Sequence, residues 1–94
     1  MHKSLESAVS VIVLSNSWFS TGSTYHVVRV IVVDRDGTQT IIDSENMSPC
    51  SNPSQIAGEL LGLDGVLHRE CSDLGITNYM ARSNEVKKKD LFYF

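Results

Sequence analysis

Residues 25–44 have the sequence YHVVRVIVVDRDGTQTIIDS, and this stretch decides the fold class. Its first half is a long run of Val and Ile, which favour β-strands because their branched side chains pack well on a pleated surface. Asp36 and Gly37 then suit the positive φ angles of a tight turn, and a second apolar run contains Ile41 and Ile42. The stretch predicts a β-hairpin, closed either by a two-residue turn or by a longer loop with Gly37 in the left-handed conformation.

The first strand of this hairpin is apolar on both faces, because successive side chains of a strand point to opposite sides. The two sets are Val28, Val30 and Val32 on one face and Val27, Arg29, Ile31 and Val33 on the other. A chain of 94 residues makes one small domain, in which a helical layer covers only one face of a sheet. Either the other face is covered by a second copy or another protein, or Arg29 marks it as half-exposed.

The segment before the hairpin is ambiguous. Residues 5–14 have apolar side chains at helical spacing, whereas 8–14 is also a β-branched strand of ordinary length. We favour the strand, because a run of β-branched residues forms helices poorly. Residues 15–24 are rich in Ser, Asn, Thr and Gly and predict a loop, in which Trp18 and Phe19 either fold back as a lid or serve as an interface anchor.

The second half of the chain predicts two short helices. Asn52 is a good N-cap and Pro53 suits the first helical position. An apolar stripe of Ile, Ala and Leu runs to Gly62, and a second helical pattern ends at Gly75. Residues 76–82 predict a further turn or strand.

These elements predict an α+β fold, with a small antiparallel sheet of three to four strands around the 25–44 hairpin packed on two short helices from the C-terminal half. We predict a single domain over 1–94, with a mobile N-terminus at 1–4 and a polar, solvated segment at 83–90. The apolar residues at 91–94 need burial.

Composition excludes several function classes. The net charge of −3 argues against a chain that coats nucleic acid, since neutralising phosphates needs a surplus of Lys and Arg. No apolar stretch approaches the ~20 residues that a bilayer crossing needs. Cys50 and Cys71 have neither CxxC nor zinc-ribbon spacing, and nothing resembles a secretory signal. We expect reduced thiols in a cytoplasmic protein, with Cys71 buried on a helix.

Metal and cofactor chemistry find little support. Asp34 and Asp36 alternate as the first ligands of a calcium loop do, but the residues after Gly37 lack the further oxygen ligands and the closing Glu. Turn chemistry explains these aspartates. We predict no metal and no cofactor.

A catalytic site is equally hard to build from this sequence. No nucleophile elbow, phosphate loop or paired-histidine motif is present. His68 and Cys71 stand three residues apart on a predicted helix, which offers a thiol-dependent enzyme as one alternative. The adjacent Glu70 and Asp73 oppose the electropositive setting that a reactive thiolate needs, so we predict a protein that is not an enzyme.

The helical pair carries one family resemblance. Residues 54–76, SQIAGELLGLDGVLHRECSDLGI, resemble the helix-turn-helix of DNA-binding regulators, in which a first helix of the type xxIAxxLG leads to a recognition helix. Ala57 and Gly62 are one residue further apart than in the family's pattern. The resemblance implies a DNA-binding regulator that presents His68 and Arg69, and this is the other alternative.

A small non-enzymatic protein-binding module is the function we expect, acting by stoichiometric contact as an inhibitor, an adaptor or a subunit of a complex. Its composition is similar to that of phage and mobile-element proteins that block host enzymes or nucleic-acid-binding complexes. We expect a protein partner or a homodimer, and no nucleic acid or membrane. Aromatic side chains on loops and ends and an exposed acidic hairpin tip are the predicted partner contacts. They are Trp18, Phe19, Tyr25, Asp34, Asp36, Phe92, Tyr93 and Phe94.

Overall fold

A computed structural model describes residues 5–44, 52–63 and 65–94 of the chain. In sequence order the elements are β1 (Ala8–Ser20), β2 (Ser23–Asp34), β3 (Gln39–Asp43), α1 (Pro53–Leu60), α2 (Leu67–Asp73), β4 (Asn78–Glu85) and a 3₁₀ turn (Lys88–Asp90). The strands form one sheet in the order β3-β2-β1-β4. The predicted α+β class, with a small sheet around the hairpin and two helices from the C-terminal half, is confirmed. The predicted mobile N-terminus at 1–4 and Cys50 lie outside the described residues.

The hairpin of β2 and β3 forms as predicted. Gly37 N–H donates to the Asp34 carbonyl at 3.0 Å and Asp34 N–H donates to the Thr38 carbonyl at 2.9 Å, so the loop is closed across residues 35–37. Gly37 has a φ of 86°, a conformation that favours glycine. Of the two predicted closures, the structure has the longer loop with a left-handed glycine.

The prediction of a loop at 15–24 is wrong. β1 continues through this stretch to Ser20 and pairs with β2 along its length, from Ala8 opposite Asp34 to Ser20 opposite Ser23. The connection is a two-residue turn, in which Thr21 and Gly22 have φ angles of 49° and 79°. Two successive positive φ angles match the twist of the flanking strands, which is why hairpins favour such turns.

The sheet is mixed rather than antiparallel throughout. β2 runs antiparallel to both β1 and β3, but β4 pairs parallel with β1, from Ser10 opposite Asn78 to Ser17 opposite Glu85. The cause is the helical connection, since α1 and α2 carry the chain back across one face of the sheet before β4 begins. The predicted polar segment 83–90 therefore starts within β4.

Both helices end at the predicted glycines, and α1 begins at the predicted cap, whereas α2 begins without a side-chain cap. Asn52 caps α1, with its Oδ1 accepting the Gln55 backbone N–H at 2.9 Å, and Pro53 occupies the first turn. Gly62 and Gly75 follow the two helices with φ angles of 72° and 73°. Gly58 lies where α1 meets the next turn, because an added Cβ would stand 2.4 Å from the Gly65 carbonyl oxygen.

The main core lies between the helices and one face of the sheet. Strands β1 and β2 contribute alternating valines, and the helices contribute aliphatic side chains and the thiol of Cys71. The fully buried members are Val11, Val13, Val28, Val30, Val32, Ala57, Leu61, Leu67 and Cys71.

Candidate protein-binding face of the sheet

The face of the sheet turned away from the helices is only partly covered by the described residues. We call it the open face. It carries the alternate side chains of β1, β2, β3 and β4 that do not point into the main core. From one end to the other, the members on β1 are Ser10, Ile12, Leu14, Asn16 and Trp18.

Half of the open face is crossed by residues 86–94, which we call the strap. The strap leaves the sheet where the Val86 N–H donates to the Ser17 carbonyl at 2.9 Å. Leu91 is 1% exposed and is the buried anchor of the strap, whereas its neighbours Phe92 and Tyr93 are 63% and 76% exposed. The expectation that residues 91–94 need burial therefore holds for the leucine alone.

Asn16 holds the strap in place. Its Nδ2 donates to the carbonyl oxygen of Leu91 at 3.1 Å and also to that of Tyr93. Asn16 is itself 1% exposed, so these bonds form away from water, where an unpaired amide is costly. No local pattern predicts this role for Asn16, because an Asn between two serines is typical of loops.

Two cation–π contacts fasten the strap at its ends. Lys88 Nζ lies 5.1 Å from the centroid of the Trp18 ring, and Arg29 Cζ lies 4.9 Å from the centroid of Phe94. Trp18 is paired across the strands with Tyr25, at 5.4 Å between ring centroids. The predicted residues Trp18, Tyr25 and Phe94 are thus brought to the same face, Trp18 and Tyr25 as partly exposed residues of the sheet and Phe94 as a residue of the strap.

Arg29 forms a two-pronged ion pair with Asp43 on the neighbouring strand. The distances are 2.7 Å from Nε to Oδ1 and 3.0 Å from Nη2 to Oδ2. This hydrogen bonding raises the pKa of Arg29 and lowers the pKa of Asp43. Arg29 therefore lies on the face that was predicted to be either half-exposed or covered by a partner, and the strap crosses part of that face.

Beyond the strap, the open face carries an apolar row that runs across all four strands. Ile41 is opposite Ile31, Ile31 is opposite Ile12, and Ile12 is opposite Met80. The two end members, Ile41 and Met80, are 55% and 54% exposed, and the two inner ones are half-buried. Within the described part of the chain, this row is an apolar strip that crosses all four strands and has exposed ends.

The other predicted contact residues lie apart from this row. Phe19 is 62% exposed near the β1–β2 turn, and its position in the strand directs it to the helix side. Asp36 is exposed, with its Oδ1 accepting the Thr38 N–H at 2.9 Å. Asp34, expected at an exposed tip, is only 9% exposed and accepts the Ser7 hydroxyl at 3.2 Å. The pairing of Asp34 with β1 is what covers it.

Cys71 and His68, the two side chains considered for catalysis, lie in different environments. Cys71 is buried, as predicted, and burial together with the charge of Glu70 raises the pKa of its thiol. His68 is exposed, and its Nδ1 lies 3.2 Å from the Ser54 hydroxyl oxygen. In the described ranges no three His, Cys, Asp or Glu side chains come close enough together to hold a metal ion.

The helix pair that resembles a helix-turn-helix is short. α2 has seven residues and no side-chain N-cap, and its buried residues Leu67 and Cys71 face the core. Arg69 is exposed on α2, next to Glu70. None of the helices in the described ranges is long and apolar enough to cross a bilayer.

Comparisons of the chain with models of known protein families, with curated proteins and with solved structures gave no match.

Proposed function

We propose that this chain is a small non-enzymatic protein-binding module that acts by stoichiometric contact through its open face. The observation that carries this proposal is the apolar row of Ile41, Ile31, Ile12 and Met80, which spans the whole sheet and has exposed ends. A contiguous apolar strip in water is costly unless another surface covers it, and such strips are typical of protein interfaces.

The strap adds the aromatic part of the same surface. Phe92 and Tyr93 project from a segment whose backbone is held by Asn16, so they are presented on an ordered support. Exposed aromatic side chains bury much area at a small cost in conformational entropy, and they are frequent anchors of interfaces. The row and the two aromatics together define the contact surface of the proposed module.

A subunit of a complex, an adaptor and an inhibitor would all use such a surface. The free, buried Cys71 agrees with a reducing compartment, and we propose the cytoplasm.

The test replaces one exposed member of the row with a charge. Met80→Asp leaves the main core untouched, because Met80 is more than half exposed on β4. Gln55→Glu is the matched control, since it adds the same charge at an exposed position. Gln55 lies on α1, on the opposite side of the sheet from the row. Circular dichroism and thermal unfolding should show that both variants keep the fold.

Binding is then measured by purification of the tagged chain from its native host, followed by quantitative mass spectrometry and a direct assay with the purified candidate. A protein recovered in equimolar amount with the parent chain and Gln55→Glu, and lost with Met80→Asp, supports the proposal. The proposal is contradicted if the parent chain, Gln55→Glu and Met80→Asp all recover every protein in equal amounts.

A further inference from the structure

We propose that the partner on the open face is a second copy of this chain, in a two-fold dimer in which the strap of each copy lies on the apolar row of the other. This inference rests on the proposed function, because it names the partner of the same surface. The shape, the side-chain chemistry and the charge of the open face support it.

The strap makes one half of the open face higher than the other half. The strap covers the half that contains Asn16 and Trp18, whereas the apolar row lies in the other half, beyond Arg29. Consider a two-fold axis that lies between the two facing sheets and runs perpendicular to the strands. This rotation places the raised half of one copy, with its strap, over the lowered half of the other, with its apolar row. Such an interface is self-complementary, as a symmetric dimer requires.

A two-fold axis directed along the strands gives a poorer fit. It would place strap against strap, so that the two sheets could not approach the roughly 10 Å at which packed sheets interdigitate. The apolar row would then remain in water. The shape of the face therefore selects the axis across the strands.

The side chains brought together by that axis match chemically. The strap passes over β1 and β2, since Asn16 holds it on β1 and Phe94 reaches Arg29 on β2. An axis across the strands keeps this lateral position, so Phe92 and Tyr93 of one copy come over the centre of the other copy's row. Two such aromatics per copy, which bury about 150–250 Å² each, supply about half of the roughly 800 Å² per partner that a stable interface buries, and the row beneath them adds to it.

Charge also favours this arrangement. The strap begins with Lys87, Lys88 and Lys89, all exposed. The far end of the sheet carries the exposed side chains of Glu6, Arg35 and Asp36 near the β2–β3 turn, which together leave one net negative charge. In the proposed dimer the lysines of one copy lie near this turn of the other, so opposite charges meet at both edges of the interface.

The first experiment measures mass by light scattering and sedimentation over a range of concentrations. We expect the parent chain to have twice the monomer mass of 10.4 kDa. Met80→Asp and Tyr93→Asp should each weaken the dimer at least about tenfold, because each puts a charge into an apolar contact. Gln55→Glu should leave the stability of the dimer unchanged. Both target positions are well exposed in the monomer, so the fold should persist.

The second experiment tests how the copies are arranged. Phe92→Cys and Ile31→Cys are made in separate chains, which are mixed and oxidised. The strap-on-row dimer should give a disulfide between the two different chains in preference to either chain with itself. Preferential linkage of Phe92→Cys chains to one another would overturn the arrangement.

The two proposals fail separately. A parent chain that stays monomeric at high concentration overturns the second-copy inference, as does a dimer that tolerates both Met80→Asp and Tyr93→Asp. In either case the host-protein comparison between Met80→Asp and Gln55→Glu still decides the proposed function, because it depends on no dimer.

Discussion

The helix-covered face and the open face of the sheet are built from the same strands, yet they are closed in different ways. On the helix side, alternating valines meet Ile, Leu and Ala side chains in one continuous core. On the open side, the strap is fixed by one buried leucine, one asparagine and two cation–π contacts, and a row of apolar residues stays uncovered. Burial of apolar surface is the dominant favourable term in folding, so the helix side should contribute most of the stability and the open side less.

The largest expected effect is the loss of stability when a buried leucine on each face is replaced by alanine. Leu67→Ala removes a fully buried side chain from the main core and should lower the free energy of unfolding by about 2–5 kcal/mol. Leu91→Ala, in the strap, should fall at the low end of that range, about 2 kcal/mol, because the strap can close in on the smaller residue. Chemical denaturation measures both. Equal losses would show that the strap is as integral to the fold as the helices.

A smaller effect is expected from the polar anchor of the strap. Asn16→Ala removes the donor to the buried carbonyl of Leu91 and to the partly buried carbonyl of Tyr93, which should cost about 1–3 kcal/mol. Hydrogen exchange should accelerate in residues 86–94 and remain slow in α1. Asn84→Ala is the control, because Asn84 is exposed on β4 and its change should cost under about 0.5 kcal/mol. Uniform acceleration along the chain would contradict a local role for Asn16.

Local sequence signals account for much of the helix-covered face. The β2–β3 hairpin with left-handed Gly37, the cap at Asn52 and the glycine ends of the helices were all predictable, since each depends on a few neighbouring residues. The strand at 8–14 also followed from its β-branched residues, although helical spacing competed with it.

The open face could not be predicted in the same way, because its contacts join residues that are far apart in sequence. Ser15 and Asn16 predict a loop locally, but on the helix side of β1 the Ser15 hydroxyl lies 2.7 Å from that of Ser83, and on the open face Asn16 binds the Leu91 carbonyl. These partners are 68 and 75 residues away. Tertiary hydrogen bonds therefore turn a polar segment into the middle of the longest strand, and they bring the strap onto the aromatic pair of Trp18 and Tyr25.

The ion pair on the open face should make a modest, pH-dependent contribution. The hydrogen bonds from Arg29 lower the pKa of Asp43 below its unfolded value of about 3.9, so the stabilisation is complete above that pH. It is lost as pH falls through the lowered folded pKa. Both side chains are about a third or more exposed, so the pair is worth at most about 1 kcal/mol.

Arg29→Gln should remove this dependence, together with the contact to Phe94. Unfolding measured from pH 6 to pH 2 should show a shallower acid-side loss of stability in Arg29→Gln than in the parent chain. Arg82→Gln, at an exposed position on β4, is the control and should keep the parent's slope. The same slope in all three chains would show that the ion pair does not contribute to stability.

The smallest expected effect concerns the contact between Lys88 and Trp18. Lys88→Met keeps a long side chain but removes the cation, and it should cost about 0.5 kcal/mol, as exposed cation–π contacts do. Trp18 is the only tryptophan of the chain, so its fluorescence reports on this contact directly. Lys89→Met removes the neighbouring charge without that contact, and it should leave the emission unchanged. An altered emission in Lys88→Met alone would place the start of the strap on the Trp18 ring in solution, whereas equal spectra would show that Lys88 does not hold the strap on that ring.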